Sequence, residues 1–291
     1  MKRPDPRPPR DARPKSLSVT EIEHWLRDPY TIYAKHVLRL PQLDPVDRAP
    51  GGAERGSFIH GAIGDFAKFC TGGVPADPYA ELLRLGREHF AALEDVPEAR
   101  AFWWPRFERI ARWFVRFERR RRTGAAAVLA EIRGEIAIAT PSGSFRLTGR
   151  ADRLERLAGG GYAILDFKTG APPTTAQVRA GIAPQLPLEA AILRGGGFAD
   201  VTPGSITELL YVRLKGGEPA GEESVIDFNG SNPDAAADTA LAKLTALAVR
   251  FDDPATPYRS LVLPMWKERY GTYDELARVK EWSLGAEGDE E

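Results

Sequence analysis

Cysteine is all but absent from these 291 residues: Cys70 stands alone. A single thiol excludes an internal disulfide and any multi-cysteine zinc or iron–sulfur centre, so a metal held by this chain must take oxygen or nitrogen ligands. No run of about 18 apolar residues occurs and no charged-then-apolar leader opens the chain. The reading is no membrane span and a cytoplasmic location, which the lone cysteine fits. Charge of one sign is missing as well. Forty basic and 41 acidic residues nearly cancel, so bulk charge does not announce a nucleic-acid partner and local patches must carry that argument. There is no Gly-x-x-x-x-Gly-Lys-Ser/Thr loop, which excludes phosphate-loop ATP hydrolysis in this chain.

What is present is enough apolar residue, 43%, to bury a proper core. Residues 1–16 hold Pro4, Pro6, Pro8, Pro9 and Pro14 among alternating charges, a composition that favours extended, solvated chain and reads as a linker. A linker with nothing before it suggests a piece of something longer. Residues 286–291 read as an acidic tail. Between them lies one domain, 17–285. Ser18 or Thr20 can cap a short helix through Leu26. Ile59, Ala62, Phe66 and Phe69 recur at helical spacing over 55–70. A long helical stretch covers 98–122, broken or restarted at Pro105. The period then changes: 131–139, 145–157 and 161–168 read as three strands separated by turns. A helix over 184–193, a strand over 206–214 and a helix over 234–251 complete an α/β or α+β order.

The informative stretch is Gly149-Arg150-Ala151-Asp152-Arg153, followed after a glycine turn by Leu165-Asp166-Phe167-Lys168-Thr169-Gly170. A hairpin centred on Gly159 sets Asp152 directly opposite Asp166. Side chains so placed lie roughly 4.5–5.5 Å apart at Cβ, and like charges there repel. A hard divalent cation between them offsets the repulsion, and Mg²⁺ typically takes one or two carboxylates plus waters and phosphate oxygens. Lys168, two residues beyond Asp166, projects from the same face. Its ammonium can orient or help deprotonate an attacking water, or stabilise charge on a phosphate oxygen. The apolar neighbours Ile164, Leu165 and Phe167 argue that this is a buried strand rather than a solvated one.

These segments, with Gln185-Leu-Pro-Leu-Glu189 downstream and Arg55-Gly-x-x-x-His60 upstream, resemble the RecB-like branch of the PD-(D/E)XK nuclease superfamily, and more closely the C-terminal nuclease domain of AddB subunits of bacterial AddAB helicase–nucleases. The resemblance implies a restriction-endonuclease-like core, a mixed central sheet flanked by helices, and hydrolysis of DNA phosphodiesters with Mg²⁺ or Mn²⁺. It implies His60, Asp152, Asp166 and the Phe167 carbonyl as metal ligands, Lys168 as the catalytic lysine, and Gln185 beside the site positioning substrate or the lysine. It further implies exonuclease action in double-strand break repair by homologous recombination, with an AddA-like helicase–nuclease partner. A free-standing RecB-like exonuclease and a catalytically inactive DNA-binding scaffold are the alternatives, the latter disfavoured by the intact acid, acid and lysine.

Two features depart from the wider family. Glu189 stands where many relatives have a tyrosine, four residues after the glutamine and so on the same helix face. The four-cysteine iron–sulfur staple of some AddB proteins is excluded, and packing by Trp266, Tyr270 and Tyr273 against the Asp28-Pro29-Tyr30 region is the expected substitute. His60 itself sits off the apolar stripe of its helix, on a face with Gly56, Gly64 and Ala67 that lets another element approach. Glu131 and Glu135 are further acidic candidates on the preceding strand. Four residues apart, both should point to one face, so alternation does not choose between them, and a solvent-facing edge accommodates either. The arginines from Arg106 to Arg122, interleaved with Phe107, Trp113, Phe114 and Phe117, could form a single-strand DNA track. The favoured reading is an amphipathic helix whose aromatics face the core.

Overall fold

The computed structural model describes residues 2–41, 51–93, 96–262 and 271–283; the acidic tail, Trp266 and Tyr270 lie outside them. The order is β1 (Ser16–Ser18), α1 (Val19–Arg27), α2 (Pro29–Ile32), α3 (Gly52–Phe69), α4 (Pro78–Phe90), α5 (Pro97–Arg122), β2 (Ala125–Thr140), β3 (Gly143–Leu157), β4 (Tyr162–Lys168), α6 (Thr175–Ala180), α7 (Gln185–Arg194), β5 (Ile206–Leu214), β6 (Gly221–Val225), α8 (Pro233–Asp252) and α9 (Val279–Ser283). Six strands form one mixed sheet with helices on both faces, the restriction-endonuclease-like α/β arrangement. Among the described residues no helix is long and apolar enough to cross a membrane.

The three-strand meander is confirmed, with β2 starting earlier than its sequence pattern suggests. The glycine turn works as its chemistry requires: Gly160 and Gly161 adopt φ of 94° and 76°, a region open to glycine at little cost. β3 is the organising strand. One edge pairs with β2 along its length. The other pairs first with β1, in parallel at Arg146 to Thr148, and then with β4, antiparallel from Arg153. Between them Gly149 to Asp152 have no ladder partner on that edge, so the sheet forks there.

Alternation on β4 sends Ile164 into the core beneath α1, α7 and α8, and Ala163, Leu165 and Phe167 into the core beneath α3, α4 and α5. β1, α2, α4, α6, β6 and α9 lack a sequence expectation; all but α4 are six residues or shorter, and α4 buries the stripe Leu82, Leu85 and Phe90. At the start of α1, Ser18 and Glu21 form a reciprocal capping box, as the cap residues indicate.

Three expectations need correction. First, α5 runs unbroken through Pro105. A mid-helix proline costs about 3 kcal/mol, but burying Trp103, Phe107, Ile110, Phe114 and Phe117 is worth about 1.5–3 kcal/mol each, so packing wins.

Second, the proline-rich opening, though largely exposed, is docked on the domain. Arg13 is buried and donates to the carbonyls of Pro8, Phe251 and Thr256 at 3.0, 2.8 and 3.0 Å. The Tyr258 amide donates to Pro6 O at 2.9 Å. Proline removes backbone donors from the segment; its own Arg13 side chain and the Tyr258 amide of the domain supply them.

Third, the arginine face of α5 is exposed as expected at Arg109, Arg112, Arg116, Arg119 and Arg120, but its last two arginines turn inward. Arg121 donates to Glu155 at 3.0 Å and Glu208 at 2.7 Å. Arg122 pairs with Glu118, and the fully buried Arg153 of β3 bridges Glu118 and Glu155. Three guanidinium groups meet three carboxylates beneath the sheet. The aromatic stripe of α5 lies in the core as favoured above.

The two ends of the domain meet through ordinary packing. Tyr30 and Ala34 form a small core with Ala277 and Val279, against which Tyr273 packs. The Tyr273 hydroxyl donates to Leu40 O at 2.6 Å.

Candidate metal and catalytic centre

The site lies at the fork in the sheet. The β3–β4 register of Arg153 with Leu165 continues one step to place Asp152 opposite Asp166, as the glycine turn requires. At that step the ladder stops and a side chain takes over: the Phe167 amide donates to Asp152 Oδ2 at 2.9 Å. From the far layer α3 delivers His60, whose Nε2 lies 3.0 Å from Asp152 Oδ2 and 3.2 Å from the Phe167 carbonyl oxygen. Small residues make that approach possible. A Cβ on Gly64 would stand 2.7 Å from Glu131 Oε1, so the glycine lets β2 bring its acid against α3.

Glu131 is the residue that sequence periodicity could not select. It sits between the Ala130–Arg153 and Ile132–Ala151 pairs, and so opposite Asp152. Its φ is +58°, a left-handed conformation uncommon for a non-glycine residue. Leu129 and Ile132, three residues apart, both pack on the same core: the alternation slips by one at Glu131. That slip separates the two candidates. The Glu131 side chain is only 4% exposed and pairs with Arg150, whereas Glu135 is 58% exposed, 3.7 Å from Arg146. Register arithmetic about the Pro141-Ser142 turn, applied as it was to the glycine turn, singles out Glu131 without coordinates.

His60, Glu131 and Asp152 can each aim one ligand atom so that all lie within 4.8 Å of one another, and the Phe167 carbonyl joins them. One imidazole nitrogen with carboxylate and carbonyl oxygens is a donor set that suits a hard or borderline divalent ion. Asp166 stands one step deeper. Lys168 Nζ donates to its Oδ1 at 2.9 Å and lies 2.7 Å from its Oδ2. The Gln185 side-chain amide donates to Asp166 Oδ1 at 2.6 Å and to Glu189 Oε1 at 3.2 Å, while its carbonyl accepts from Lys168 at 3.1 Å. Gln185 thus spans acid and lysine, and Glu189 fixes which end of the amide faces each. The sequence-derived residues fall into two touching groups, His60–Asp152–Phe167 and Asp166–Lys168–Gln185. Glu131 joins the first and Glu189 the second.

The electrostatics are unbalanced. Burial pushes the Asp166 carboxyl up, and the Asp152 charge adds to this against the pull of Lys168. Burial, with Asp166 and Asp152 behind it, raises Glu189 well above the usual carboxylate range. Its Oε2 has no hydrogen-bond partner. Burial alone would lower His60 and Lys168, but Asp152 outweighs it at His60 and Asp166 at Lys168, and both stand above their ordinary values. Four carboxylates face two permanent cations, Lys168 and Arg150, a local deficit of positive charge.

A mixed sheet forking around clustered acids, a lysine and a helix-borne glutamine defines the class: a nuclease of restriction-endonuclease-like fold. The chain belongs to the PD-(D/E)XK nuclease superfamily, whose family model matches residues 16–261. Membership implies a metal-dependent nuclease. Similar curated proteins include uncharacterized proteins of Rickettsia bellii, 30% identical over 185 residues, and Rickettsia typhi, 30% identical over 191 residues. Each alignment covers 64% of this chain and 22% of the relative, so the chain spans about a fifth of the length of the curated relatives it matches. A solved structure described as the crystal structure of SSO0001 aligns over 80% of this chain and 76% of that one, with 13% identity and a TM-score of 0.34, a likeness too slight to define a fold.

Proposed function

We propose that this chain is a Mg²⁺- or Mn²⁺-dependent deoxyribonuclease module in which His60, Glu131, Asp152, Asp166 and the Phe167 carbonyl hold the ion and Lys168 serves the reaction. The convergence of His60, Glu131 and Asp152 beside the Phe167 carbonyl at the sheet fork, with Asp166 one step deeper, carries the reading. A bound divalent ion would supply Lewis-acid polarisation of the phosphate and a lower pKa for the attacking water. The chain's own part is positional. Asp152 ties itself to the Phe167 amide and so sets the direction of the neighbouring Phe167 carbonyl. Lys168, held as an ammonium by Asp166, has donors rather than a lone pair to offer. It therefore orients the water or stabilises charge on a phosphate oxygen. Gln185, itself held by Glu189, keeps Lys168 and Asp166 in register.

The resemblance carries the reading further: the module belongs to an AddB-like subunit acting as an exonuclease on broken DNA ends in recombinational repair, with an AddA-like partner supplying the motor. The decisive assay is degradation of linear DNA by the purified protein with Mg²⁺, with Mn²⁺ and with chelator. Full activity in chelator would overturn the metal role. Failure to form a complex with an AddA-like helicase would remove the AddB assignment while leaving the nuclease.

A further inference from the structure

The hairpin of β2 and β3 carries a feature that neither its stability nor the metal site requires. Arg133 and Arg150 are directly paired across the two strands. Like charges directly opposite are destabilising, and only one of the two is compensated: Arg150 pairs with Glu131, while among the described residues Arg133 has no carboxylate partner. Both line a cleft of about 420 Å³ in the sheet fork, with Ser18, Thr20, Thr148 and Gln185 on its other walls. Glu135, the carboxylate on this wall, faces Arg146 at 3.7 Å. The start of α1 is closed by its own Ser18–Glu21 box and contributes hydroxyls rather than free amides. Arg150 also lines a second cleft of about 420 Å³ that runs past His60 and Glu131 toward Lys68 and His89. The two openings therefore meet at Arg150, beside the candidate metal ligands.

We infer that the Arg133–Arg150 pair is a subsite for a backbone phosphate of the bound DNA strand, next to the phosphate being cut. The inference rests on the nuclease reading above and deepens it. The placement fits the polymer. Arg133 and Arg150 each stand two residues along their strands from Glu131 and Asp152, about 7 Å at the usual strand rise. That is the scale of one nucleotide step, since neighbouring phosphates of a strand stand farther apart through space than the axial rise of about 3.4 Å. A phosphate held there relieves the cross-strand repulsion. DNA contact is thereby assigned to the hairpin and not to Arg121 and Arg122 of α5, which are committed to Glu118, Glu155 and Glu208.

The test compares the protein with Arg133→Gln and Arg133→Glu in cleavage of a labelled oligonucleotide with Mg²⁺ over a range of KCl. For Arg133→Gln the loss should fall on KM, rising about two- to fivefold, the range of an exposed charge contact. The salt dependence of log affinity should flatten by about 0.7–0.9. Arg133→Glu should lose more. Both variants should melt no lower than the parent, since a repulsion is removed, which separates a binding defect from misfolding. An oligonucleotide made neutral at the linkage next to the cut should cost the parent more than Arg133→Gln, which keeps only the Arg150 contact. Unchanged KM and salt slope in both variants of an active enzyme would overturn the subsite alone. A parent protein that cleaves no DNA would overturn the nuclease reading and this inference with it.

Discussion

Asp152 and Arg153 are neighbours on β3, yet the layers they face treat buried charge in opposite ways. Arg153 enters a closed set in which Arg121, Arg122 and Arg153 answer Glu118, Glu155 and Glu208. Asp152 enters a set in which Glu131, Asp166 and Glu189 outnumber Lys168 and Arg150, and in which the buried Glu189 Oε2 has no hydrogen-bond partner. A saturated network has nothing left to bind and serves the fold. An acid surplus left at the mouth of a cleft has a vacancy in its charge balance that a cation fills. Burial of charge is therefore a poor guide to function by itself, and the imbalance is the informative quantity.

The sharpest way to break this contrast is on the acidic side. Asp166→Ala or Lys168→Ala should reduce DNA cleavage by at least about a hundred- to a thousandfold, with near-parental circular dichroism; full cleavage by both would remove the mechanism. On the saturated side, Arg153→Met leaves the buried Glu118 and Glu155 with one arginine each, Arg122 and Arg121. It should cost about 3–5 kcal/mol in urea unfolding, with unchanged cleavage per folded molecule well below the transition. A loss of activity without a loss of stability would reverse the assignment of the two networks.

Next in size is linkage. Mg²⁺ or Mn²⁺ at a hundredfold excess over its Kd should stabilise the parent by about 2.7 kcal/mol, and Asp152→Ala should abolish that gain, as read from melting with and without chelator. Gly64→Ala should weaken metal affinity by about tenfold, a typical cost of disturbing a ligand's supporting contact, because the added methyl meets Glu131. An unshifted metal titration would exclude Glu131 as a ligand.

The smallest effect belongs to a paired carboxylate outside both networks. Burial would raise Glu21, but hydrogen bonds from Lys35, the Ser18 amide and His36 outweigh it and hold it at about 2. A folded-state value below the unfolded one stabilises at neutral pH, and that stability is lost as pH falls from about 4.5 toward 2. The melting difference between the parent and Glu21→Gln should be complete at pH 6 and shrink on acidification. A gap that widened would contradict the sign.

Much of the site can be read from residue order because two of its determinants are local. A glycine turn fixes the register that opposes Asp152 and Asp166, and strand alternation puts Lys168 beside Asp166. The remainder depends on departures from regularity. Glu131 turns inward because one backbone angle is left-handed, and no period-two pattern encodes that slip. The fate of the α5 arginines was closed to pattern reading for another reason: their partners Glu155 and Glu208 lie on strands 34 and 87 residues away. The proline segment misled by composition, since its docking relies on Arg13 and on carbonyls near residue 254 that no local window contains.

The fork in the sheet also constrains how the enzyme comes into being. Its first tine, β1, is made early, whereas the strand it leans on lies about 130 residues later, and Gln185 comes later still. Closing so long a loop is entropically slow to be rewarded. A half-synthesised chain thus carries His60 and Glu131 without Asp152, Asp166 or Lys168, and the proposed centre is complete only when nearly the whole domain has emerged and closed on its own beginning.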